Sequence, residues 1–212
     1  MRSFYANMPP GEARSLAVDN AITFYAAGHE TTAVALAWSV YLLAAQPELQ
    51  EAVRAEALAA LGGDPATLPD RVPLLRQFLD ETLRLYPPAA QIVREAIADD
   101  DLDGIPVRKG DHIVIYPWAV QRHRKLWDNP DAFNIERFRD PKAIDRFQYL
   151  PFGAGPRICV GMRFALVEAL IILAHWLVAR RFSLEIGAAP FPTGRVTLRP
   201  KDGMPLIVEP LG

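Results

Sequence analysis

Apolar residues recur at helical spacing over residues 13–46. Leu16, Ile22, Phe24, Ala26, Ala33, Leu36, Ala37, Val40 and Leu43 mark a long helix that Pro47 stops. A second helix is predicted over residues 48–61 and ends at Gly62-Gly63, since glycine readily takes the left-handed conformation that closes a helix. A Pro-bearing linker runs to Pro73, and a third helix covers residues 74–86 until Pro87-Pro88. Residues 162–179 give a fourth, with Ala165, Leu166, Ala169, Leu170, Leu173 and Leu177 on one face. Residues 1–12 read as a loop around Pro9-Pro10-Gly11.

Weak alternation with turn signals at Asp103-Gly104 and Lys109-Gly110 predicts short strands at 92–97, 105–107 and 112–115. Three more are expected at 182–186, 196–198 and 206–208, with Gly203-Met204-Pro205 making the last turn. Between the two strand groups, residues 117–151 are irregular; a loop that long must be functional or well packed, and Trp118, Trp127 and Phe133 are its expected anchors. Arg122 and His123 in it read equally well as structural. The fold class that emerges is mainly α with small β-sheets, an α+β chain.

Composition narrows this picture. The 212 residues can hold one sizeable core or two small ones, and half of them are hydrophobic. The formal net charge of −2 argues against nucleic acid as a partner, because such domains carry a basic excess. One cysteine excludes an intrachain disulfide and fits a reducing compartment. No uninterrupted apolar run reaches the ~18 residues of a membrane span; the longest, 33–45, is broken by Ser39. No membrane segment is therefore expected, and the first residues lack the apolar core of a signal peptide.

Three polar features interrupt the apolar pattern. The lone Cys159 sits where a Gly-rich loop, Phe152-Gly153-Ala154-Gly155-Pro156-Arg157-Ile158-Cys159-Val160-Gly161, turns into the helix 162–179. The helix dipole and free backbone N–H groups favour negative charge there, and the glycines let backbone approach a flat partner closely. A thiolate in such a cradle can be an axial ligand of haem iron, whereas a single cysteine without context is more often an inert buried hydrophobe. The second feature is Ala27-Gly28-His29-Glu30-Thr31-Thr32 inside the first helix. It is either a polar stripe facing water or a locally loosened turn beside a ligand. The third is Glu81-Thr82-Leu83-Arg84, whose i, i+3 spacing puts Glu81 and Arg84 on one face. Exposed, such a pair contributes little; buried, each charge needs a further partner.

Taken together these residues resemble the cytochrome P-450 family. The loop fills every fixed position of F-G-x-G-x-R-x-C-x-G, and A-G-H-E-T, E-T-L-R and E-R-F precede it in the family's order. The resemblance implies a haem-thiolate monooxygenase that inserts one atom of dioxygen into a small organic substrate. Its cofactor would be haem b, with Cys159 the axial ligand of the iron. Phe152, Gly153 and Gly161 would line the cofactor, and Arg94 and Arg157 would hold its propionates. Glu30 and Thr31 would guide protons, while His29 falls at a variable position and has no role. Arg137, in Ile135-Glu136-Arg137-Phe138, would complete the network of Glu81 and Arg84, with Ile135 standing where the family has Pro. No flavin or iron–sulfur motif is present, so electrons would come from a separate reductase or ferredoxin.

The resemblance covers the later portion of such a protein, so residues 1–212 read as the C-terminal part of a single catalytic domain, as a fragment or a truncation. An alternative is a non-catalytic fragment that binds haem weakly or not at all. A cytoplasmic, bacterial protein is expected from the missing anchor.

Overall fold

The first helix, α1 (Pro10–Ala45), opens with Pro10 at its first position, where a missing N–H costs nothing. The computed structural model describes residues 9–194 and 196–211. Of the loop expected over 1–12, residues 1–8 lie outside those described, and the helix begins three residues before residue 13. Its N-terminal half is largely exposed, whereas Val34, Ala35, Leu36, Trp38, Val40, Leu42, Leu43 and Ala44 are buried. Pro47 ends it and starts α2 (Pro47–Ala60). A 3-10 turn at Pro65–Thr67 and the single turn α3 (Leu68–Arg71) lead into α4 (Pro73–Leu85).

Two small antiparallel sheets follow. The first pairs β1 (Ile92–Glu95) with β4 (His112–Ile115), and the hairpin of β2 (Asp100–Leu102) and β3 (Ile105–Val107) lies between them in sequence. Asp103 and Gly104 have φ of 54° and 86°, the left-handed pair that a two-residue hairpin turn requires. After the short α5 (Pro117–Val120) the chain is irregular until α6 (Met162–Ala179). Beyond α6, β5 (Arg180–Leu184) pairs with β8 (Leu206–Pro210), and β6 (Pro192–Gly194) pairs with β7 (Leu198–Pro200). The expected strands at 182–186 and 196–198 are thus each displaced by two residues, and β2 and β6 add to those expected. Cross-strand partners set these limits: Arg180 already faces Pro210, and Gly194 faces Leu198.

The core is helix on helix. Leu166, Ala169, Leu170, Leu173, Ala174 and Leu177 of α6 pack in one cluster with Val53 and Ala57 of α2, Leu75, Phe78 and Leu79 of α4, and Leu36 and Leu43 of α1. Each fully buried Leu or Phe contributes about 1.5–3 kcal/mol relative to exposure. Buried Arg54 of α2 donates from Nε to Leu177 O (2.6 Å) and from Nη2 to Arg180 O (3.0 Å), satisfying carbonyls at the end of α6. Gln50 does the same for Leu43 O (3.0 Å) and pairs both ways with the Phe182 backbone at 2.9 Å, fixing the last sheet to α1 and α2.

By length and composition, α6 is long and apolar enough to cross a membrane. Arg163, Glu168 and His175 interrupt its apolar run. In this fold α6 buries a stripe in the core.

Candidate functional site

The Cys159 loop is built by two residues that only glycine fits well: Gly153 and Gly155 have φ of 71° and 73°. Between them and the cysteine lies a 3-10 turn at Gly155–Arg157. Cys159 N donates to Phe152 O at 2.9 Å and so closes the loop on itself. Gly161 then caps α6, and Cys159 itself is exposed. A Cβ at Gly161 would lie 3.9 Å from Cys159 Sγ, and one at Gly153 would lie 3.5 Å from Ile92 Cδ1. Strand β1 therefore touches the loop. Ile92 and Arg94 alternate with the exposed Val93 and Glu95, so Arg94 shares the strand face that meets Gly153. Arg94 Nη1 donates to Val93 O at 2.9 Å. Arg157 is exposed on the 3-10 turn.

The approach to this loop is tied to α4 by residues that the sequence did not single out. Fully buried Gln121 accepts from Leu150 N (2.7 Å) and donates to Leu83 O (3.0 Å) and Arg84 O (2.8 Å). Tyr149 donates to Asp80 Oδ1 at 3.1 Å, and Asp80 Oδ2 accepts from Arg76 at 2.8 Å. Burial pushes the Asp80 carboxyl upward against the opposing pull of Arg76, and burial with the neighbouring Asp80 pushes the Tyr149 hydroxyl well up.

Glu81 and Arg84 are fully buried and paired through two bonds, Nε–Oε2 at 2.6 Å and Nη2–Oε1 at 2.8 Å. Arg84 also donates to the carbonyls of Gln121 (2.8 Å), Pro130 (2.7 Å) and Ala132 (3.1 Å) and lies over the Trp127 ring. Glu81 Oε1 also accepts from Asn134 N at 2.8 Å. Arg137 Nε stands 3.5 Å from the same oxygen, a looser ion pair, and its Nη2 donates to Asn129 O at 2.9 Å. These bonds tie the irregular segment after α5 to α4, with the partners that a buried charge pair needs.

The polar cluster on α1 departs from the loosened turn considered for it: the helix is continuous through Gly28, His29, Glu30 and Thr31. Thr31 Oγ1 donates to Ala27 O at 2.7 Å, the back-bond a mid-helix threonine makes to residue i−4. His29 stacks on Tyr25. Glu30 does not stand free. Its Oε1 accepts from Thr197 Oγ1 and from Arg199 Nε (2.9 Å), with Arg199 Nη2 at 2.5 Å. The Thr197 hydrogen bond first, and Arg199 next, hold the Glu30 carboxyl below the usual carboxylate range.

The donor set limits what metal could be held. No group of three or more His, Cys, Asp and Glu among the described residues could hold a bare ion. A lone thiol donor suits a metal that brings its own ligand frame, as the iron of a porphyrin does.

A family model described as Cytochrome P450 matches residues 16–204. The chain belongs to the cytochrome P450 family. That family is one of haem-thiolate monooxygenases, and its fold accounts for the mixed α+β architecture. Among curated proteins, the chain is 38% identical to a cytokinin hydroxylase of Arabidopsis thaliana, over 92% of this chain and 39% of that protein. It is 36% identical to cytochrome P450 714C3 of Oryza sativa subsp. japonica, over 94% and 40% respectively. It is 37% identical to human cytochrome P450 4V2, over 86% and 36%. The chain spans about two fifths of the length of the curated relatives it matches. These P450 relatives come from plants and primates, which points away from a bacterial origin and overturns the cytoplasmic, bacterial expectation drawn from the missing anchor.

Proposed function

We propose that this chain carries the thiolate-ligand side and the oxygen-side helix of a haem-thiolate monooxygenase, with haem b as its cofactor. Cys159 would hold the iron through its thiolate. Phe152, Gly153 and Gly161 would form the surface against which the cofactor lies, and Arg94 and Arg157 would pair with its propionates through their planar forks. When bound, the haem supplies dioxygen activation. The substrate is a small organic molecule, and the electrons come from a separate reductase or ferredoxin. Thr31 Oγ1, already donating to Ala27 O, keeps its lone pairs free to accept from a water, and Glu30 exchanges protons with that water.

The observation that carries this reading is the exposed Cys159 at the head of α6, behind a loop bent by Gly153 and Gly155. Cys159→His in the haem-loaded protein tests it. The reduced carbon-monoxide complex is expected to lose the red-shifted Soret band of a thiolate-ligated haem; an unchanged spectrum would remove Cys159 as the ligand.

A second reading also has an observation behind it. Val18, Ile22, Phe24 and Tyr25 of α1 are more than half exposed or close to it, at 50%, 61%, 57% and 72%, and such bare apolar surface favours association over a closed cofactor pocket. On this reading the 212 residues alone hold haem weakly and do not turn over substrate. The haem stoichiometry of the purified chain separates the two.

A further inference from the structure

We propose that Thr197 and Arg199 are positioning residues for Glu30, anchoring its Oε1 so that Oε2 is the oxygen that handles protons. The inference rests on the proton role given to Glu30 above.

The geometry is asymmetric. Both hydrogen bonds to the carboxylate, from Thr197 Oγ1 and Arg199 Nε, end on Oε1, and Arg199 Nη2 stands 2.5 Å from the same oxygen. A carboxylate held by one oxygen keeps a fixed orientation while the other oxygen stays available for exchange. The partners are themselves held. Leu198, between them, donates from N to Pro88 O at 2.9 Å and accepts at O from Trp38 Nε1 at 2.7 Å. With Leu198 fixed on both backbone atoms, Arg199 N donates to Thr197 O at 3.2 Å and Arg199 Nε to Thr197 Oγ1 at 3.2 Å, so the two side chains meet where α1 presents Glu30. Thr197 is buried, which shields its bond from water, while the Arg199 side chain is 59% exposed. The charged groups acting on Glu30 are Arg199 from the hairpin of β6 and β7 and His29 from α1 itself. In the relay, Oε2 takes one proton from a solvent water and gives one to a water at the Thr31 turn, which regenerates the carboxylate.

The test uses the haem-loaded protein and four variants: Glu30→Gln, Arg199→Gln, Arg199→Lys and Thr197→Val. Infrared titration reads the Glu30 carboxyl, assigned by its loss in Glu30→Gln, and product formed per reduced cofactor reads proton delivery. The titration midpoint is expected to move upward in Arg199→Gln and Thr197→Val and to return towards the parent in Arg199→Lys. Coupling is expected to fall by about a hundredfold in Arg199→Gln, the scale of a misplaced catalytic group, with substrate KM unchanged. Coupling that stays intact in Arg199→Gln while it is lost in Glu30→Gln overturns the inference alone and leaves the clamp as a tie between hairpin and helix. Coupling that is intact in Glu30→Gln removes the proton role itself, and the inference with it. The infrared midpoint does not depend on turnover, so an unmoved midpoint in both Arg199→Gln and Thr197→Val also overturns it.

Discussion

The indole of Trp38 lies flat on the ring of Tyr86, with centroids 4.0 Å apart and 6° between the planes. Trp38 belongs to α1 and Tyr86 directly follows α4, so the stack joins the helix bearing Glu30 to the helix bearing Glu81. The same indole donates from Nε1 to Leu198 O at 2.7 Å and fixes the C-terminal hairpin. Trp38→Phe keeps an aromatic stack but leaves that buried carbonyl without its donor. It is expected to lower stability by about 1–3 kcal/mol, read from the denaturant midpoint at unchanged m. A midpoint equal to the parent's would mean that a water replaces the indole.

Glu81→Ala strands Arg84 in a site from which solvent is excluded. The expected loss is about 3–5 kcal/mol, the cost of an uncompensated buried charge, together with lost haem incorporation. Arg137→Ala should cost much less, because its Nε stands 3.5 Å from Glu81 without forming a hydrogen bond. Equal losses in the two variants would show the three residues to act as one unit.

Asp80 makes a pH prediction whose sign is fixed by its burial. Its folded carboxyl is raised above the ordinary value, so the folded state keeps its proton to higher pH than the unfolded state. This contribution to stability is fully present below the unfolded carboxyl value of about 4. It is lost as pH rises through the raised folded value. Asp80→Asn should flatten the stability profile in that window while keeping a partner for Tyr149. An unaltered slope would show that another group titrates there.

Thr31→Ala removes a hydroxyl that back-bonds within α1 and replaces threonine by the best helix former. Helix stability and haem content are expected to hold. Product per reduced cofactor should fall by roughly a hundredfold as peroxide rises, the lower range for losing a group that handles protons. Thr31→Ser should restore it. Unchanged coupling in Thr31→Ala would assign the work to another group.

What the sequence determined by itself is what short-range patterns encode. Helical periodicity located α6, and proline closed α1. The glycines around Cys159 announced backbone angles that only they adopt readily, and the i, i+3 spacing of Glu81 and Arg84 put them on one face before any packing was known. The tertiary structure decided what depends on meetings between distant residues. Glu30 and Arg199 are 169 positions apart, and no local pattern says that a β-hairpin will deliver a guanidinium to the middle of α1. Gln121 looks like one polar residue of an irregular loop until its amide is seen bridging Leu150 to the end of α4. Asp80 beside Glu81 gives no sign in sequence of which carboxylate gains an arginine with every donor satisfied and which shares a tyrosine. The strand limits moved by two residues for the same reason, since a ladder ends where its partner does. Periodicity follows from the geometry of one chain segment, while hydrogen bonds, ion pairs and shared desolvation follow from where two segments pack, and that is set only when the core closes around α6.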